Sequence, residues 1–127
     1  MRSSLSDTLS KYAARFVHGC GYLIVAALSL VPGEYRPHIL GLSGKDEHAI
    51  AYFVLGVLTV IAARRTVNAY RLCVIIVAYA GILEFLQLFA SDRHAGVGDF
   101  VASSLGGIMG ITLATLAVSR LARISRI

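Results

Sequence analysis

The chain has 127 residues, of which 57% are hydrophobic and only 15% charged, against about 25% charge in a soluble domain. A 13.6 kDa protein of mean hydropathy +0.73 is mostly surface and could not hide that much apolar area from water, so lipid is the expected solvent. This composition excludes intrinsic disorder, the presence of only Cys20 and Cys73 excludes a disulfide scaffold, and the net charge of +5 is too dispersed to form a basic face for nucleic acid.

Four apolar stretches predict an all-α integral membrane bundle of four transmembrane helices in a single domain over residues 1–127. The spans fall at about 12–31, 46–64, 72–90 and 99–119, close to the ~20 residues that cross a ~30 Å hydrocarbon core. The second is short and needs Lys45, Asp46 and Glu47 as a recessed extra turn. No ten-residue segments alternate with period two, which argues against a barrel. Breakers separate the spans: Pro32-Gly33 and Pro37, then Gly41 to Gly44, then Gly96 and Gly98. Ala27-x-Ser29 loosely fits a signal-peptide cleavage site, but the long basic start with Asp7 and the apolar length predict a retained helix.

Charge asymmetry sets the expected orientation. Arg2, Lys11 and Arg15 precede span one, Arg64, Arg65 and Arg71 join spans two and three, and Arg120, Arg123 and Arg126 follow span four. Nine of the twelve basic residues thus share one side, with only Asp7 among the acids. The positive-inside rule then puts both termini in the cytoplasm, and the terminal arginines read as inner-leaflet anchors.

Charged groups in hydrocarbon cost at least ~2.5 to 3.5 kcal/mol each, so their placement is informative. Here they gather at the outward ends of spans two to four. Lys45, His48 and Tyr52 follow i, i+3, i+7 along one helical face, which Gly56 continues. On span three Glu84 and Gln87 share a face, with Glu84 ~9 Å inside the outer end. Asp92, Arg93 and His94 occupy the next loop, and Asp99, Ser103, Gly106 and Gly110 form a stripe on span four. Asp99 is expected to cap that helix. Gly106-x-x-x-Gly110 and Ser103-x-x-x-Gly107 are small-residue patterns that allow close helix approach. The expected result is a polar pocket open to the outer interface, with Lys45 and Arg93 balancing Glu84 and Asp99. The competing reading is a cluster of ion pairs and hydrogen bonds that only fixes helix register.

Other polar residues carry blander readings. His18 lies toward the inner end of span one and reads as a helix-contact histidine; His38 and His94 read as solvated. Cys20 and Cys73 read as free, packed thiols. His48, Glu84 and Asp99 could approach one another, but no metal-ligand spacing, Walker loop, dinucleotide loop or nucleophile elbow is present. No metal, cofactor or catalytic residue is therefore assigned, and enzyme activity stays open, with Glu84 or His48 as the conceivable base.

The segments KDEHAIAYFVLG (from Lys45), ILEFLQLFASDR (from Ile82) and GDFVASSLGGIMG (from Gly98) together resemble the VanZ-like family of membrane proteins, named for a protein associated with teicoplanin resistance. The family pattern is Lys-x-x-His-x-x-x-Tyr, Glu-x-x-Gln, a loop Arg, and Asp-x-x-x-Asn-x-x-Gly. It falls here on Lys45, His48, Tyr52, Glu84, Gln87, Arg93, Asp99 and Gly106. Gly44 stands where an acid usually precedes the lysine, and Ser103 where the asparagine stands. The resemblance implies a bacterial cytoplasmic membrane, a setting in the cell envelope and a link to glycopeptide susceptibility.

These readings combine into an expected ligand site formed by Lys45, His48, Tyr52, Glu84, Gln87, Arg93, Asp99 and Ser103. Its expected partners are membrane lipids or a lipid-linked envelope precursor, with no nucleic acid. The alternative is a structural protein, whose Gly106/Gly110 face meets another membrane protein or a second copy of the chain.

Overall fold

The computed structural model describes residues 2–32, 35, 41, 43–63, 67–90 and 96–125. Four helices account for nearly all of them: α1 (Arg2–Leu30), α2 (Gly44–Ala63), α3 (Ala69–Gln87) and α4 (Val97–Ile124). No strand occurs among the described residues. Each helix contains a window long and apolar enough to cross a membrane. The chain is a multi-pass membrane protein.

Two helices run past the expected spans. At 1.5 Å per residue, the 28 residues of α4 extend about 42 Å, beyond a ~30 Å hydrocarbon core. Their excess is the charged flanks: Arg120 and Arg123 continue α4, and Asp7 and Lys11 lie in the part of α1 before residue 12. Arginine and lysine are good helix formers, so the helix need not end where the apolar stretch does.

Local signals set three of the starts. Ser43 accepts from the Asp46 amide at 3.4 Å and donates to its carboxylate at 2.7 Å, while Asp46 and Glu47 complement the α2 dipole. Asn68 caps α3 by accepting from the Tyr70 amide at 3.0 Å. α4 corrects the expected cap. Gly96, with extended backbone, is its N-cap, and Asp99 sits inside the first turn.

The seam between α2 and α4 is the tightest part of the bundle. Alternating helix directions make these two parallel, and their registers pair Ala49 with Gly106 and Phe53 with Gly110. A Cβ on Gly106 would lie 2.9 Å from the Ala49 carbonyl carbon and closer still to its oxygen. Gly56 completes the seam against the Gly107 carbonyl and the Ile111 amide. Backbones can approach this far only where side chains are absent, which is how small residues drive helix association in lipid. α3 packs antiparallel on the same pair: Ile76 lies over Gly107, and Gly81 faces the Phe100 ring. Ile76 and Ile111 are fully buried there, with Tyr52, Leu55 and Leu83 close to it.

α1 is attached differently. Only 6% of its apolar window is buried, and Phe16, Leu23 and Ile24 face outward. Tyr22 and Val25 pack against the core, and hydrogen bonds add to this contact. His18 Nε2 meets Thr59 Oγ1 at 3.1 Å, and the Tyr22 hydroxyl meets the same oxygen at 3.3 Å. Thr59 itself donates to the Leu55 carbonyl at 2.8 Å. Tyr79 donates to the Tyr22 carbonyl at 2.5 Å, with the two rings edge to face at 4.6 Å. Gln87 donates to the Ser29 carbonyl at 3.1 Å. His18 is thus a helix-contact residue, and Cys20 and Cys73 are both free thiols.

Candidate functional site

The polar residues of α2 to α4 meet where α4 begins. Gly96 and Gly98 carry no side chains there, so neighbouring helices reach the backbone of its first turn. Lys45 comes from α2: a Cβ on Gly98 would lie 3.0 Å from both its Cε and its Nζ. Glu84 comes from α3, and its Oε1 accepts a hydrogen bond from the Gly96 amide. The ammonium of one helix and the carboxylate of another therefore flank the same turn. Asp99 lies in that turn, half-buried, its amide donating to the Gly96 carbonyl at 2.9 Å.

Below this level the α2–α4 seam encloses further polar groups. Ser103 is 3% exposed, His48 7% and Tyr52 2%. Tyr52 lies within electrostatic reach of Glu84 and Tyr79, and its ring centroid is 6.2 Å from that of Tyr79. The i, i+3, i+7 stripe on α2 thus changes character along its length: Lys45 is exposed, while His48 and Tyr52 are packed inside. Glu84 and Gln87 share a helical face as expected but serve different neighbours. Glu84 ties α3 to α4, and the 2%-exposed Gln87 ties α3 to α1. Arg93, together with Asp92 and His94, lies outside the described residues.

Glu84 also lines an open cavity of about 370 Å³ between α3 and α4, whose other walls include Gly81, Phe85, Leu88, Val97 and Phe100. One carboxylate thus borders an otherwise apolar recess at the end of the bundle. Among the described residues, no group of three His, Cys, Asp or Glu side chains is placed to hold a metal ion.

Some contributors escaped the pattern of the sequence. Gly98 reads as a loop breaker, yet it is where Lys45 lands. Thr59, Tyr22 and Tyr79 carry the attachment of α1, and each by itself is unremarkable in an apolar helix. The one available signal was that His18 and Thr59 are polar residues deep in their spans, each needing a partner.

A family model for VanZ/LLP1 matches residues 20–118. The chain belongs to the VanZ/LLP1 family. No curated protein and no solved structure matches it. The matched region covers all of the converging residues from Lys45 to Ser103 and the Gly106/Gly110 seam. It leaves out the first nineteen residues and the last turns of α4. A multi-pass membrane VanZ/LLP1 protein is consistent, through the family's name, with a role connected to antibiotic resistance.

Proposed function

We propose that this VanZ/LLP1 protein binds an anionic lipid or a lipid-linked envelope precursor at the end of the bundle where α4 begins. The observation that carries the reading is the side chain of Lys45 laid across Gly98. The first turn of a helix presents amides without intrahelical partners and the positive end of the dipole. An ammonium at the same point adds a cation beside the carboxylates of Glu84 and Asp99, and glycine leaves the backbone amides of the turn open to a phosphate oxygen. Glu84 and Asp99 orient the cation and the turn, and the cavity beside Glu84 offers an apolar recess for a lipid tail. His48, Tyr52 and Ser103 form the packed floor, Gln87 ties α3 to α1 beside the site, and Arg93, outside the described residues, is the second cation that the sequence pattern expects. The family resemblance implies a bacterial cytoplasmic membrane, and charge asymmetry supports both termini inside, which turns this site outward.

A second reading has its own observation. Glu84 and Gln87 both act as ties between helices, which suits a structural or partner-binding protein whose polar cluster sets register. Lipid mass spectrometry on gently purified protein separates the two. Gly98→Ala leaves every charge in place but puts a methyl group 3.0 Å from the Lys45 ammonium, which shifts that side chain by a few tenths of an ångström and covers the backbone a phosphate would reach. Loss of a bound anionic lipid in both Gly98→Ala and Lys45→Gln supports the site. Equal lipid content in both variants and the unaltered protein refutes it and leaves the structural reading.

A further inference from the structure

The opposite end of the bundle, where the chain begins and ends, holds a separate groove of about 420 Å³, within the size range of ligand sites. Ala63 from α2 and Ala69 and Leu72 from α3 form one wall; Thr115, Ser119 and Arg123 from α4 line the other. The three α4 residues follow i, i+4, i+8, so they run in one line down the helix over about 12 Å of rise. The guanidinium stands at the terminal end and the two hydroxyls lie progressively deeper. Among the described residues, no acidic side chain lines the groove. The segments flanking this end carry nine of the chain's twelve basic residues and only Asp7 as an acid.

This gradation matches a phospholipid along its length. Phosphate is the outermost polar group, ester linkages lie a few ångströms deeper, and methylene chains follow. Arginine suits the first by geometry as well as charge. Ser119 already donates to the Leu116 carbonyl at 2.8 Å, so the helix is satisfied and the hydroxyl adds polarity at ester depth. Ala63, Ala69 and Leu72 offer a smooth apolar wall, because two of the three are alanine. Arg123 and Ser119 also lie beyond the residues matched by the VanZ/LLP1 model.

We propose that this groove seats one anionic phospholipid of the bilayer, its phosphate on Arg123, its ester linkages level with Ser119 and Thr115, and its first methylenes against Ala69 and Leu72. The site stands apart from the one at the start of α4 and does not depend on it. Juxtamembrane basic residues attract anionic lipid surfaces in general; the groove adds a fixed position and a single occupant.

The test is native mass spectrometry of protein incubated with equal amounts of phosphatidylglycerol and phosphatidylcholine. All proteins carry Lys45→Gln, so the site at the other end supplies no signal. The parent should retain phosphatidylglycerol in preference to phosphatidylcholine. Arg123→Gln should lower that preference about fivefold, the effect of one basic residue near an anionic lipid surface. Ser119→Phe keeps the charge, fills the groove from an exposed position, and should lower the preference as much. Equal retention of the two lipids by the parent overturns the proposal, as does an Arg123→Gln protein that keeps the preference. If Arg123→Gln loses it and Ser119→Phe does not, the arginine acts only as surface charge, and the groove is refuted.

Discussion

Gly106→Ala adds one methyl group at the tightest point of the α2–α4 seam. Built on the observed backbone, it meets the Ala49 carbonyl carbon at 2.9 Å and Cα at 3.0 Å, with the carbonyl oxygen nearer still. All three neighbours are backbone atoms of a helix, so no rotamer change relieves the clash and α2 must move as a unit. Overpacking costs about 1 to 3 kcal/mol, and the absence of an escape places this case near 3. Alanine returns about 1 kcal/mol through helix propensity. The expected net loss is about 2 kcal/mol, roughly a thirtyfold shift toward the unfolded state. Gly19→Ala is the control, because a Cβ there meets nothing within 4 Å; it keeps the propensity gain and should be neutral or slightly stabilising. Unfolding of each purified variant in mixed micelles, titrated with sodium dodecyl sulfate and followed by circular dichroism, measures the difference. Equal midpoints for Gly106→Ala and Gly19→Ala would refute the seam, since both changes are identical in chemistry and differ only in what surrounds them.

Two further outcomes concern the ties between helices. Thr59→Val keeps the side-chain shape but removes the oxygen shared by His18 and Tyr22, and Tyr79→Phe removes the donor to the Tyr22 carbonyl. Hydrogen bonds between membrane helices contribute about 0.6 kcal/mol on average, up to about 1.7, so Thr59→Val should weaken α1 attachment about twice as much as Tyr79→Phe. Hydrogen exchange of α1 amides reads this directly, and unchanged protection in Thr59→Val would show that other contacts hold the helix. Glu84→Gln preserves an acceptor for the Gly96 amide, whereas Glu84→Ala removes it. A bond to a charged group contributes about 1.5 to 3 kcal/mol, so exchange at Gly96 should rise at least tenfold in the alanine variant and much less in the glutamine one. Equal exchange in Glu84→Ala and the unaltered protein would discard the tie.

The helices were legible because lipid simplifies the code: about twenty apolar residues in a row have few alternatives to a helix. Their ends were less so, since Arg120 and Arg123 are helix formers that leave the apolar stretch without leaving the helix. The Gly106/Gly110 pattern announced a close approach, and the seam lies there. It did not announce the partner, because a small-residue stripe fits any backbone of matching register. Tyr52 and His48 were visible as a polar stripe, but periodicity records a face and not its depth; burial beneath Lys45 comes from how α4 crosses α2.

The cap of α4 shows the same limit from another side. Asp99 has the chemistry of an N-cap, and sequence reasoning assigns it by type. Glycine at 96 and 98 changes the geometry by admitting outside groups to the helix start. A carboxylate twelve positions earlier in the chain then binds the cap amide, and an ammonium from α2 covers the following glycine. The local preference of Asp99 is displaced because a tertiary partner can satisfy the helix terminus from a distance: Glu84 ties α3 to the start of α4, while Lys45 of α2 lies against the same turn. The tie from Glu84 gives a charged residue a structural reason to stay at this end of so apolar a chain, and Gly98→Ala complements the removal of a charge. It disturbs the place where the charges meet while leaving every one of them present.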